Sequence, residues 1–170
     1  MNSEISNPSS AIRVVRARLE EAPIVYRIMK AAYAEYIGKL DPPSGADRET
    51  TEDVAAKMQN GGALLAWIGD KAVGSARFEF RGANLYVGRL AVVPALRGRG
   101  VAKAIMNFVE SIARNERCEG IEILVRTVLE DNLRLYRNLG YSYEEIIQHP
   151  RAGRVTRMVK TLSPISDKAL

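Results

Sequence analysis

Apolar residues recur along this chain in two rhythms, one helical and one alternating, and their order predicts its elements. Between Glu20 and Ile37 the positions Val25, Ile28, Met29, Ala32 and Tyr36 fall three and four apart, on one face of a helix. Pro23 sits in its first turn, where a missing N–H costs little. Ile12 to Arg18 reads as a strand before it, and Gly38 to Asp47, GKLDPPSGAD, is dense in turn formers and reads as a loop. Glu49 to Asn60 predicts a second helix, with Thr50 or Thr51 as cap and Gly61 and Gly62 as its stop. Ala63 to Ile68 is an apolar strand, Gly69-Asp70 turns it into an alternating strand from Ala72 to Phe80, and Arg81 to Asn84 turns again. With Leu85 to Val93 these strands form an antiparallel meander.

Beyond Pro94 the rhythm becomes helical once more. Val101, Ile105, Phe108 and Ile112 make one apolar stripe on a helix that ends near Arg117. Ile121 to Val125 is a short apolar strand reached by that crossover, so it lies parallel to the fourth strand. Glu130 to Leu139 is a short helix stopped by Gly140, and Tyr141 to Ile147 with Arg154 to Leu162 predicts a closing hairpin. The sum is an α/β chain with a mixed, mostly antiparallel sheet. One domain over residues 11–163 is expected, with short tails at 1–10 and 164–170.

Composition changes this picture only modestly. Hydrophobic residues make up 46% and charged residues 26% of 170, ordinary globular usage. No run approaches the roughly 20 apolar residues of a bilayer span, and MNSEISNPSS lacks a signal-like apolar core, so a cytoplasmic protein with no membrane association is expected. The net charge of +5 points to an anionic partner, either nucleic acid or a phosphorylated cofactor. No helix carries a continuous basic stripe and the aromatics do not interleave with the basic residues, which argues against nucleic acid. Arg97, Arg99 and Lys103 instead crowd a glycine turn, with Arg134 and Arg137 on a later helix. The single Cys118 excludes an internal disulfide and reads as a small apolar filler, and the single His149 beside Pro150 reads as a loop residue, so no metal site is expected.

The chemistry concentrates between Leu85 and Phe108. An apolar strand stops at Pro94, and Gly98 and Gly100 then open a helix whose first N–H groups lack partners, an arrangement that binds anions. It is not a dinucleotide fingerprint, because Lys103 stands at the third glycine position, and the chain has no Gly-Lys-Ser/Thr of a P-loop.

The turn Arg97-Gly98-Arg99-Gly100-Val101-Ala102, followed on a later helix by Asn132-Leu133-Arg134-Leu135-Tyr136-Arg137-Asn138-Leu139-Gly140-Tyr141, resembles the two motifs of the GCN5-related N-acetyltransferases. The first signature, Arg/Gln-x-x-Gly-x-Gly/Ala, is met by Arg97, Gly100 and Ala102, and the likeness extends over roughly residues 12–162. The resemblance implies that the fourth and fifth strands splay apart and that acetyl-CoA is the cosubstrate. Its pantetheine would bond to the backbone of Leu90, Ala91 and Val92, and its pyrophosphate to the N–H groups between Gly98 and Ala102, including those of Arg99 and Val101. The Leu90 amide would polarise the thioester carbonyl.

Tyr136 is implied as the proton donor to the departing thiolate; by position alone it is a half-buried helix aromatic. Asn132 either bonds the pantetheine or fills its helix's first turn. Many family members carry a carboxylate on the fourth strand where this chain has Tyr86, which leaves the base for the attacking amine to another residue. Glu79, whose side chain should point opposite to Phe78 and Phe80, is the candidate by elimination; its other reading is an edge charge paired with Arg77 or Arg81. Tyr33, Tyr36, the loop 38–47 and the tip His149 to Gly153 should select the acceptor, a small-molecule or peptide amine, with Asp41 and Asp47 able to attract a cation. A noncatalytic acyl-CoA-binding module is the alternative reading, and the C-terminal edge hairpin is compatible with a monomer or a homodimer.

Overall fold

The computed structural model describes residues 11–164. The strands are β1 (Ile12–Arg16), β2 (Gly62–Ile68), β3 (Lys71–Arg81), β4 (Asn84–Val92), β5 (Gly120–Arg126), β6 (Ser142–His149) and β7 (Gly153–Thr161). The helices are α1 (Ala22–Tyr33), α2 (Thr51–Asn60), α3 (Val101–Asn115) and α4 (Glu130–Asn138). Of the expected tails at 1–10 and 164–170, residues 1–10 and 165–170 lie outside the described residues.

The strands form one seven-stranded sheet in the order β1-β2-β3-β4-β5-β7-β6. Only β4 and β5 run parallel among these neighbours, as a helical crossover demands; the other pairs are antiparallel. The alternation of β2 divides the core into two. Leu64 and Ala66 point into a cluster with Val101, Ile105, Val109 and Ile112 of α3, while Ala63 and Leu65 point to Val25, Ile28 and Met29 of α1 and Val54 of α2. Helices thus cover both faces of the sheet over β2 to β4, while β6 at the edge is largely exposed.

The elements follow the predicted order, with differences at their ends. The first helical segment breaks into α1 flanked by short 3-10 turns at Leu19–Glu21 and Ala34–Tyr36, so Tyr36 is not on the helix proper. α2 is capped by Thr50, whose hydroxyl accepts from the Asp53 amide while the Asp53 carboxylate accepts from the Thr50 amide. The stripe on α3 is wider than four residues: Met106, Val109 and Ala113 are buried with Val101, Ile105 and Ile112, whereas Phe108 is only half-buried at its margin. A helix pressed flat on a sheet buries more than a coiled-coil seam does.

The feature that positions the site is a bulge in β4. Ser75 lies opposite Ala91 but Arg77 lies opposite Gly88, so β4 carries an extra residue there, and Arg89 takes φ +52°. Beside this bulge β4 leaves its other neighbour. Asn84 to Val87 pair with Gly120 to Ile123 of β5, and the ladder ends there, so the two strands diverge from Gly88 onward.

Candidate active site

The glycine turn lies where β4 ends. A 3-10 turn over Pro94–Leu96 leads to Gly98 at φ +75° and Gly100 at φ +84°, backbone that side chains rarely adopt. A Cβ at either would meet nothing within 4 Å, so the glycines are required by conformation and leave the approach open. The first helical bond of α3 runs from the Ala104 N–H to the Gly100 carbonyl at 2.9 Å, leaving the amides of Val101, Ala102 and Lys103 without an intrahelical acceptor. The helix start is held tightly. A Cβ on Gly74 would lie 2.7 Å from Val101 Cγ1 and 2.9 Å from Ile105 Cδ1, so β3 can sit under α3 only because residue 74 has no side chain.

Arg97 and Arg99 differ in use. The Arg97 guanidinium turns back to the end of α1, donating to the Ala32 carbonyl at 3.0 Å and to the Glu35 carboxylate at 2.5 Å. It ties the turn to α1 and satisfies an orphan helix carbonyl. Arg99 and Lys103 are exposed at the turn.

Past the bulge, the Leu90 carbonyl accepts from the Tyr33 hydroxyl at a long 3.4 Å. Tyr136 comes to the same place from α4, and the motif that carries it has a mechanical explanation. The Gly140 amide, at φ +93°, bonds to the Arg137 carbonyl at 3.0 Å, and the Tyr141 amide bonds to the Tyr136 carbonyl at 3.0 Å. These are the two bonds of a Schellman cap, and its apolar contact is the edge-to-face pair of Tyr136 and Tyr141, with centroids 5.9 Å apart. Leu139-Gly140-Tyr141 therefore fixes the helix end from which Tyr136 projects. Burial pushes the Tyr136 phenol well above its ordinary value, and the neighbouring phenols of Tyr33, Tyr141, Tyr86 and Tyr36 add to the effect. Burial also raises Tyr36, against the opposing influence of the Asn132 side chain beside it. The phenols of Tyr33, Tyr36 and Tyr86 thus lie near that of Tyr136, and Tyr33 reaches β4 past the bulge.

The face of the sheet toward α1 and α2 is polar near the splay, and each of its three central carboxylates holds an arginine. Glu49 receives Arg77 through two bonds of 2.6 and 3.0 Å and Arg89 through Nε at 2.8 Å. These hydrogen bonds and charges outweigh its burial and keep the Glu49 carboxyl below the usual range. Glu122 accepts from Arg157 at 2.7 and 3.0 Å. Glu79 lies opposite Tyr86 in the β3–β4 register, on the face away from buried Phe78, and its carboxylate is paired with Arg81. The Arg81 guanidinium stacks 3.6 Å from the Tyr86 ring centroid.

The loop between α1 and α2 forms the outer wall. The Lys30 ammonium donates to the Ala46 and Asp47 carbonyls at 3.1 and 2.8 Å, and the Arg126 guanidinium donates to the Pro42 and Pro43 carbonyls at 2.6 and 3.1 Å. At the β6–β7 tip, a Cβ on Gly153 would stand 3.0 Å from Pro42 Cδ, so tip and loop touch. Sequence reasoning brought out the loop, Tyr33, Tyr36 and the tip, but not Glu49, Arg89 or Arg126. A hint was available for Arg89, a charge between Gly88 and Leu90 in an apolar strand.

A mixed sheet with one parallel pair that parts at mid-length, beside a glycine turn opening a helix, defines an acyl-CoA N-acyltransferase architecture. Residues 25–141 match the model of the acetyltransferase (GNAT) family, and the chain belongs to that family. Solved structures share the fold at low sequence identity. The ribosomal-protein-S18-alanine N-acetyltransferase of Escherichia coli superposes with a TM-score of 0.75 at 14% identity, over 94% of this chain and 99% of that one. Ard1 from Thermoplasma volcanium gives 0.74 at 16%, over 90% and 99%. The PaiA N-acetyltransferase of Thermoplasma acidophilum, solved in complex with coenzyme A, gives 0.72 at 13%, over 89% and 99%. Among the described residues no helix is long and apolar enough to cross a membrane.

Proposed function

We propose that the protein transfers an acetyl group from acetyl-CoA to a primary amine by direct attack in a ternary complex, without an acyl-enzyme. The observation that carries this reading is the parting of β4 from β5 beside the bulge at Arg89, in line with the unpaired N–H groups that open α3. A pantetheine arm laid along Leu90, Ala91 and Val92 completes the interrupted ladder, and the pyrophosphate takes the backbone amides from Gly98 to Ala102. Arg97 contributes through its backbone, its guanidinium being spent on α1. Asn132, beside Tyr36, lines the pantetheine side.

The Leu90 amide donates to the thioester oxygen as negative charge develops there, a preorganised contact of the kind worth about 2.7 to 4 kcal/mol. Tyr136 serves the sulfur. Because burial raises its phenol, the hydroxyl stays protonated and stabilises the departing thiolate first as a hydrogen-bond donor, then yields its proton as the thiol leaves. The ammonium of the acceptor must lose a proton before it attacks. Glu49 is a poor recipient, since two guanidiniums hold its carboxyl low. Glu79, with a single arginine partner, takes that proton through water.

Tyr136→Phe tests the reading. Thiol release from acetyl-CoA should fall by about 10²- to 10⁴-fold, the usual contribution of a positioned proton donor, while CoA binding by calorimetry changes little. Unchanged amine-dependent turnover would remove Tyr136 from the chemistry; tight CoA binding with no amine-dependent turnover in the parent protein would favour the noncatalytic acyl-CoA-binding module. Glu79→Gln should lower turnover and move the acid limb of its pH profile, and an unmoved limb would exclude Glu79 as the base.

A further inference from the structure

The acceptor side of the splay has an unbalanced charge. Glu49 carries one negative charge and binds two guanidiniums, those of Arg77 and Arg89, and all three side chains are largely withdrawn from solvent. Arg89 precedes Leu90, and its guanidinium lies 5.9 Å from the centroid of the Tyr33 ring, whose hydroxyl reaches the Leu90 carbonyl. Arg126 reaches the same place from the end of β5, beyond the last pairing with β4. Both arginines contact one short stretch of the loop. Arg126 is bonded to the carbonyls of Pro42 and Pro43, and Arg89 Nη2 would stand 2.6 Å from a Cβ on Gly45.

The carboxylates nearby do not cancel this. Glu79 is engaged by Arg81, and Glu122 and Glu144 by Arg157. Asp41, on the loop, acts on Arg126 less strongly than Arg89 does, and the net influence of burial and Arg89 is to lower the Arg126 guanidinium. Glu49 is shared between Arg77 and Arg89, and Arg126 is held by carbonyls alone, so the guanidiniums gathered here outnumber the carboxylate that faces them and imply a ligand that supplies another. The hairpin tip at Gly153 comes against Pro42, whose carbonyl Arg126 holds, so tip and loop flank the two arginines on one side.

We propose that the acceptor is a small amine bearing a carboxylate a few bonds from its nitrogen, and that Arg89 and Arg126 receive that carboxylate. This rests on the acetyltransferase reading and reverses the expectation that Asp41 and Asp47 attract a cationic acceptor. The carboxylate binds the guanidinium edge; the ammonium gives one proton through water to Glu79, the amine nitrogen forms a bond to the thioester carbon, the C–S bond breaks, the sulfur takes the Tyr136 proton and leaves as the thiol of CoA, and the second proton lost by nitrogen passes through water to restore the Tyr136 hydroxyl.

The test compares amino acids with their own carboxamides, for example phenylalanine with phenylalaninamide and methionine with methioninamide, by thiol release from acetyl-CoA. Amidation lowers the basicity of the neighbouring amine and so favours attack intrinsically; a preference for the acid therefore reports recognition. The acids should show kcat/KM about tenfold or more above the amides, the scale of a hydrogen bond to a charged group, expressed mainly in KM. Arg126→Gln should abolish that preference and Arg126→Lys should keep part of it. Amides that match or exceed the acids, or an Arg126→Gln variant that lowers both members equally, would overturn the proposal. If no amine releases thiol, the transferase reading fails separately. Calorimetric titration of the CoA-loaded protein with the same pairs then decides: binding that requires both carboxylate and Arg126 upholds the subsite, and its absence overturns it.

Discussion

Glu49 illustrates how one residue joins stability to the site. It anchors Arg77 on β3 and Arg89 in the bulge, so it braces the distortion that parts β4 from β5. Removing one partner from a buried charge network leaves the others uncompensated, and Glu49→Gln should cost about 3 kcal/mol at neutral pH. The pH dependence has a definite sign. The folded Glu49 carboxyl is depressed, so its contribution is complete above the unfolded carboxyl's titration near about 4.3 and is lost as pH falls through the lower folded value. Urea melts of parent and variant should differ most near pH 7 and converge in acid; a gap that persists below the folded titration would mean packing, not charge, carries the effect. At this scale the sequence is read easily when a residue answers a local need and poorly when its partner is remote. Gly98 and Gly100 are recognisable because positive φ is a local demand, whereas Glu49 meets Arg89 across 40 positions. Glu79 was legible only as a pair of alternatives, and its contact with Arg81 matches the edge-charge reading without testing the other.

Among the elements, α4 is held by its end rather than by its length. Its axis is short, nine residues, and none of them is fully buried, so packing along its length does little to fix it. Its C-terminal cap does that instead: Gly140 in the left-handed region lets two amides turn back onto carbonyls of Tyr136 and Arg137 and seats Tyr141 against Tyr136. Gly140→Ala should therefore cost about 1 to 2 kcal/mol, the penalty of that conformation with a Cβ, and, if Tyr136 is the proton donor as proposed, lower kcat beyond its effect on CoA affinity because that residue moves. Equal losses in both would show that α4 only contributes to binding. The same cap closes α3, where Arg117 takes φ +57° and the Cys118 amide bonds to the Ala113 carbonyl at 2.8 Å. Cys118 packs there against the core, the filler its composition implied. Helix termini made by glycine and proline were therefore legible, and the end of α1 was not. The apolar rhythm runs on to Tyr36, but the chain tightens into a 3-10 turn at Ala34, where Arg97 and Glu35 bind across from the glycine turn.

For the molecule as a whole, the bulge at Arg89 left only a faint trace in the sequence, a glycine and a charge inside an apolar strand, whereas the parting of the strands was expected from family resemblance. The order of elements was legible because each strand carries its own period, and the two-sided core follows from strict alternation in β2. Leu64 and Leu65 are neighbours in sequence, both 0% exposed, and belong to clusters on opposite faces of the sheet. Replacing either by alanine removes about 2 to 5 kcal/mol through lost burial and a residual cavity. Because the backbone separates their side chains and their packing partners differ, the two losses should add within about 0.5 kcal/mol. The double variant would then lose about 4 to 10 kcal/mol by that sum, comparable to the roughly 5 to 15 kcal/mol that holds a domain together. It should sit near the edge of stability with a low melting midpoint, and saturating CoA should raise that midpoint by mass action. A coupling energy above 1 kcal/mol in the cycle would mean that the sheet transmits repacking from one face to the other. The α1–α2 face, which carries Glu49 and its arginines, and the α3 face, which carries the glycine turn, would then behave as one mechanical unit.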